Sequence, residues 1–296
     1  MRAAGARGAI GPSASALDRP PGSLALGCRA AAAFVRREFA TYVSYRTKLV
    51  LGLVSLVFSL VVFSFVGRVV ATAGPGFVER YGMSYTSYAL VGIFVHSLAS
   101  SGLNAFRSAV RREQLQGTLE VLLTTRLPSP ALVALAGAGE LSITLAGGAA
   151  LMLGAAALVG LDVPLSPALV SAFLLYTVIM CGVGLASAGV VMVVKEGEPI
   201  SWAVGGLAGL LGGVYFPVDM LPGWLQSGAR ALPTTHALAL ARYGTGAQAA
   251  SGAAAGTSAG SLVFLFAAAL ASLAVGFAVL EWGCRRARSA GTLSHY

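Results

Sequence analysis

The sequence predicts an all-α integral membrane protein. It reads as six transmembrane helices with both termini cytosolic and an amphipathic interfacial helix ahead of the first span. A short cytosolic helix lies between spans 2 and 3, and a short outer re-entrant helix between spans 5 and 6. Three observations carry this reading. The 296-residue chain is 56% hydrophobic and 10% charged, with a mean hydropathy of +0.79, too little polar surface for a soluble body of this size. Six apolar runs, at 49–66, 88–106, 131–161, 168–194, 200–216 and 261–282, approach or exceed the length that crosses a hydrocarbon core about 30 Å thick. Of the 20 Lys and Arg residues, only Arg68, Arg80, Arg230 and Arg242 fall in the outer loops when the termini are placed in the cytosol, as the excess of basic residues on the inner side requires. The net charge of +9 is therefore an orientation signal. Nucleic-acid binding would need that charge gathered on one folded surface, so membrane lipid is expected as a partner and nucleic acid is not. The expected location is the cell (inner) membrane, multi-pass.

Taken in order, residues 1–33 are rich in Ala, Gly, Pro and Arg and hold no apolar core long enough for a signal peptide. They read as a disordered cytosolic tail. From 34 to 48 the chain turns amphipathic, with Phe34, Val35, Phe39 and Tyr42 set among Arg36, Arg37, Glu38 and Arg46, a pattern suited to lying along the inner membrane surface. A plain charged flank is the alternative. The second span is diluted by His96, Ser97, Ser100, Ser101 and Asn104. His96 is either hydrogen-bonded to a neighbouring helix or a ligand or proton site. The third run extends to about 46 Å at 1.5 Å per residue, longer than the hydrocarbon core. Its first ten or so residues are expected to reach the inner interface and carry Glu140 there rather than into the core. The fifth span repeats small residues at Gly205, Gly209 and Gly213, a spacing that lets another backbone approach closely, within the subunit or between subunits. The six-helix domain spans 34–286, and 287–296 form a cytosolic C-terminal tail. Cys28, Cys181 and Cys284 are too dispersed for a disulfide framework or a metal site.

No catalytic constellation is present. There is no HExxH, no GxSxG and no phosphate-binding loop, since that loop needs Gly directly before its Lys and the only lysines follow Thr47 and Val194. No catalytic, cofactor-binding or metal-ligating residue is therefore assigned.

Two stretches remain. "RREQLQGTLEVLLTTRLPSP", 111–130, holds a glycine suited to the left-handed turn that ends a helix, Gly117. Thr118 can then cap a new helix with Glu120 in its positively polarised first turn. Leu115, Leu119, Leu122 and Leu123 face one way, and Glu113, Gln116 and Glu120 another. Ser129 and Pro130 suit the start of the third span. The second stretch, "GGVYFPVDMLPGWLQSGARALPTTHALALAR", 212–242, reads as a span ended by Pro217, then a helix capped by Asp219 and stopped by Pro233. Leu221, Trp224, Leu225, Gly228 and Leu232 share one of its faces. Trp224 anchors it at the outer interface.

Together these stretches resemble those of the type-2 ABC (ATP-binding cassette) exporter permeases, in order and spacing from about residue 34 to 286. The resemblance implies a permease subunit that moves an amphipathic or lipid-linked substrate outward, paired with a second permease copy and two copies of a cytosolic ATP-binding subunit. ATP and Mg would sit on that partner. It also implies that Gly117, Thr118, Leu119, Glu120 and Leu122 form the coupling helix. Phe216, Pro217, Pro222, Trp224 and Pro233 would belong to the outer re-entrant motif. His236 departs from the pattern, which often has an aromatic residue such as Tyr there. A secondary transporter or channel without an ATPase would call for more ionisable groups in the spans. An intramembrane enzyme would call for converging polar groups beyond His96, Asn104 and Glu140.

Overall fold

The computed structural model describes residues 23–44, 46–72, 77, 81–117, 129–159, 166–194, 198–244 and 258–289. Among the described residues the elements are α1 (Ser23–Ser44), α2 (Arg46–Thr72), α3 (Tyr85–Leu115), α4 (Ser129–Val159), α5 (Pro167–Val194), α6 (Glu198–Leu211), a 3-10 turn at Val218–Met220, α7 (Gly223–Ala231), α8 (Pro233–Gly244) and α9 (Ser258–Ser289). None of them is a strand.

Five of these helices are long and apolar enough to cross a membrane: α2, α3, α4, α5 and α9. The expected span over 200–216 is shorter than the sequence suggests. α6 has 14 residues, about 21 Å at 1.5 Å per residue. Gly213, at φ +81°, ends the regular helix ahead of Tyr215 and Phe216, because the left-handed region is open to glycine and costly for other residues.

Caps account for several starts. Ser84 accepts a hydrogen bond from the Ser87 amide at 3.2 Å at the head of α3, and Ser166 accepts one from the Leu169 amide at 3.1 Å at the head of α5. α4 begins at Ser129 with Pro130 in its first turn, as expected. α1 begins at Ser23, ahead of Phe34. Asp219 caps no long helix. It lies in the 3-10 turn, and α7 starts at Gly223 behind Pro222. Pro233 opens α8 as well as closing the segment before it, since proline lacks only an amide that a first turn leaves unpaired anyway.

α5 is the centre of the bundle. It packs on α9 through Gly182 against Ser272 and Gly276, and through Gly189 against Val279 and Gly283. On another side it packs on α3, where a Cβ on Gly102 would lie 2.9 Å from Cys181 Sγ. The α5–α9 contacts advance in the same direction along each chain, as do His96–Tyr176 and Gly102–Cys181 between α3 and α5, so α3, α5 and α9 run parallel. One apolar core joins Val91, Val95, Leu169, Ala172 and Tyr176 to Leu238 and Ala241 of α8 and Leu265 of α9. A second, toward the C-terminal ends of the three helices, joins Phe106 and Val110 to Leu185, Met192, Leu280 and Cys284. α2 meets the body where Gly67 lies against Thr86 and Phe63 stacks on Tyr215 at 6.1 Å, and it leaves Leu51, Phe58 and Phe65 exposed, the surface expected of a lipid-facing helix.

Candidate functional site

At the C-terminal end of α3 a chain of charges joins three helices. Arg37 of α1 donates to Glu113 of α3 at 2.7 Å and to Glu38 at 3.2 Å. Arg112 of α3 donates to Glu38 at 3.0 Å and to Glu140 of α4 at 2.6 Å. Ser108 donates to the other Glu140 oxygen at 2.8 Å. The Glu38 and Glu113 side chains are only 7% and 5% exposed. Partial burial works against the Arg37 charge, but the Glu113 and Glu38 carboxylates outweigh it and hold the guanidinium above its ordinary range. Beneath the charges, Phe34 packs on Ala109, Leu132 and Ala136. Gly139 lets the α1 backbone come close, since a Cβ there would lie 3.3 Å from the Phe34 carbonyl carbon.

α1 turns Phe34 and Glu38 to the body and leaves Val35 and Phe39 exposed, so its inward side mixes an apolar anchor with a carboxylate. Glu140 is partly buried and paired with Arg112, away from the middle of the bundle. The sequence reading missed the chain because its partners on different helices lie 28 to 76 residues apart. One signal was there: Glu38 is the single acid among the basic and apolar residues of 34–48, and an isolated acid on an amphipathic helix calls for a partner.

α3 ends at Leu115. The Gln116 amide bonds to Arg112 O and Gly117 takes φ +66°, the left-handed helix end expected of it. Thr118, Leu119, Glu120 and Leu122 lie outside the described residues. Gly117 thus stands one turn beyond Glu113.

At the opposite end, Pro217 is buried, Phe216 and Pro233 are half-buried and Pro222 is exposed. Trp224 is 76% exposed. The turns are tied by side chains. Gln226 donates to the carbonyls of Asp219 and Leu221 at 3.2 and 2.8 Å, and Thr235 donates to Ala229 O at 2.6 Å. His236 bonds to Arg230 O at 2.9 Å and lies 4.4 Å from the Phe264 ring, so it serves as both donor and aromatic contact.

The glycines of α6 divide. Gly209 lies against His96, a Cβ there being 3.1 Å from Nε2, whereas Gly205 meets only Leu103 and Gly206 meets nothing. Gly213 forms the turn instead of a helix contact. His96 is hydrogen-bonded to a neighbouring helix: Nδ1 lies 2.9 Å from Tyr176 Oη, which lies 3.1 Å from Thr234 Oγ1. Among the described residues no group of His, Cys, Asp and Glu is gathered to hold a metal ion.

Helices of bilayer length around a glycine-packed centre, with an ion-paired end and a short helical hairpin at the other, define a multi-pass helical membrane protein. Comparison with protein families makes this specific. The sequence model of the ABC-2 type transporter family matches residues 29–245, and the chain belongs to that family. It is a transport permease. No curated protein shows a significant match to it.

Proposed function

We propose that the chain is the membrane-spanning subunit of an ABC exporter. It moves an amphipathic or lipid-linked substrate outward by alternating access, driven by ATP hydrolysis on a separate cytosolic subunit present in two copies. A second permease copy completes the complex. Gly117–Arg126 is the coupling helix through which the ATPase acts on the spans.

The observation that carries this reading is the charge chain one turn before Gly117. A push on the segment after Gly117 reaches α3 directly, and α1 and α4 are ion-paired to that end of α3. Packed helices with fixed ties move as units instead of deforming continuously. The polar side chains that α3 exposes, Ser97 and Asn104, agree with a cargo that is not wholly apolar.

The test is co-expression with the ATP-binding subunit. Loss of a partly buried polar contact costs about 1–3 kcal/mol, and helix docking rests on a few such anchors. Glu120→Lys and Leu122→Asp are therefore each expected to reduce co-purification of the ATPase and the ATP hydrolysis rate of the complex about tenfold. Gln116→Lys, before the glycine break, has a milder effect. The permease purified alone hydrolyses no ATP. Normal ATPase binding and turnover in both Glu120→Lys and Leu122→Asp would remove the coupling assignment.

A further inference from the structure

Arg242 occupies a position its neighbours on α8 do not explain. Ala237, Leu238, Leu240 and Ala241 bury apolar side chains at 0–3% exposure, and Arg242 among them is itself only 3% exposed. Its Nη2 lies 2.9 Å from Gly213 O, 3.3 Å from Val214 O and 3.2 Å from Tyr88 O. With two hydrogens for three carbonyls, that nitrogen shares one of them. The guanidinium carbon stands 3.4 Å from the centroid of the Tyr88 ring, within cation–π range. Tyr88 Oη also donates to Gly213 O at 3.1 Å. Gly92 makes the room: a Cβ there would lie 2.6 Å from Nη2 and would run into the Val214 carbonyl.

This seat joins three elements at one point. The carbonyls of Gly213 and Val214 follow the C-terminus of α6, where unpaired carbonyls and the negative end of the helix dipole favour a cation. Tyr88 and Gly92 belong to α3, and Arg242 comes from α8. Burying a guanidinium carries a desolvation cost that an apolar side chain would avoid. The contacts it gains, 2.9 to 3.3 Å long, are directional and clustered on one joint. A shift of the α6 end by an ångström or two breaks them together, since hydrogen bonds weaken steeply with misalignment. The joint itself turns on Gly213, the residue with φ +81°.

The geometry points to Arg242 as a positioning residue for transport: it latches the outer end of α6 to α3 and holds the outer mouth shut until the spans move. This rests on the transport reading above. The latch itself is tested without the ATPase.

The probe is a cysteine at Val214, a side chain that is fully buried and whose carbonyl the substitution keeps. In a background with Cys28, Cys181 and Cys284 replaced by alanine, intact cells are treated with an impermeant maleimide. Exposed Ser227→Cys serves as the reference. Arg242→Gln is expected to raise Val214→Cys labelling relative to Ser227→Cys by at least about tenfold, the loss of one charged hydrogen bond or more. Arg242→Lys keeps the charge but not the fork and falls between. Tyr88→Phe gives a smaller rise. With the ATP-binding subunit present, ATP raises labelling in the parent protein and not in Arg242→Gln.

Unchanged Val214→Cys labelling in Arg242→Gln inserted at normal levels overturns the latch. So does failure of both Arg242 variants to insert while Tyr88→Phe inserts and labels as the parent does, because the residue would then serve the fold alone. A raised basal rate without any ATP effect in the parent upholds the latch and counts against the ATPase-driven reading.

Discussion

Glu38 shows how much one residue can hold at the end of a membrane bundle. Two guanidiniums from different helices bond its two oxygens, and its side chain is 7% exposed. Removing one member of a buried pair leaves its partners facing apolar surroundings, at a cost of about 3–5 kcal/mol, reduced where water reaches the partner. Arg37 and Arg112 are 41% and 29% exposed, so the lower part of that range applies. Glu38→Ala is therefore expected to lower the thermal unfolding midpoint of the purified chain well below that of Glu38→Gln, which keeps one of the two acceptor oxygens. The control is the Glu281–Arg285 pair of α9, 2.6 Å long but 53% and 77% exposed. Glu281→Ala should cost no more than about 0.5 kcal/mol despite the shorter contact. Equal losses at Glu38 and Glu281 would show that the chain of charges holds nothing.

At the scale of elements, two glycines in the left-handed region separate backbone cost from crowding. Gly117, at φ +66°, has open space where a Cβ would go. At Gly213, φ +81°, a Cβ would lie 3.1 Å from Val218 Cγ2. Left-handed backbone costs a non-glycine residue about 1–2 kcal/mol. Gly117→Ala should lose that alone, and Gly213→Ala measurably more, in unfolding midpoints of the same preparation. If Gly213→Ala proves the milder, the turn after α6 is not built on this residue. The comparison also shows what the sequence could express. Gly117 stood out because a glycine after a long helical run and before a threonine is a local signal, and Ser129–Pro130 marked α4 for the same reason. The end of α6 was placed too late because Tyr215 and Phe216 prolong the apolar run, and hydropathy carries no record of φ. The α1–α3–α4 charges and the Arg242 seat depend on residues brought together from far along the chain. Locally they look like a basic flank and an outer-loop arginine.

Over the whole molecule, the parallel run of α3, α5 and α9 gives the bundle two unlike ends. One end gathers α1, the head of α4 and the C-terminal turns of α3 and α9, with Arg107, Arg111, Arg112, Arg285, Arg286 and Arg288. The other holds the 3-10 turn, α7 and the head of α3, with Arg230 and Arg242 among its few cations. α5 and α9 point the same way, so the chain between them must return to its starting end. α6 and α8, each shorter than a full span, are the described helices that lie on that path. Basic residues favour the cytosolic side, and the orientation proposed from them puts the α1 end inside and α7 outside. Single cysteines test this at two exposed positions. Ser227 in α7 and Gln116 beyond α3 are both exposed side chains, so burial cannot produce a difference between them. With Cys28, Cys181 and Cys284 replaced by alanine, Ser227→Cys in intact cells should react with an impermeant thiol reagent at the rate of an exposed thiol. Gln116→Cys should react only after the membrane is permeabilised. Labelling of Gln116→Cys from outside, or protection of Ser227→Cys until permeabilisation, would reverse the orientation. It would also set the segment after Gly117 on the wrong side of the membrane to meet a cytosolic ATPase.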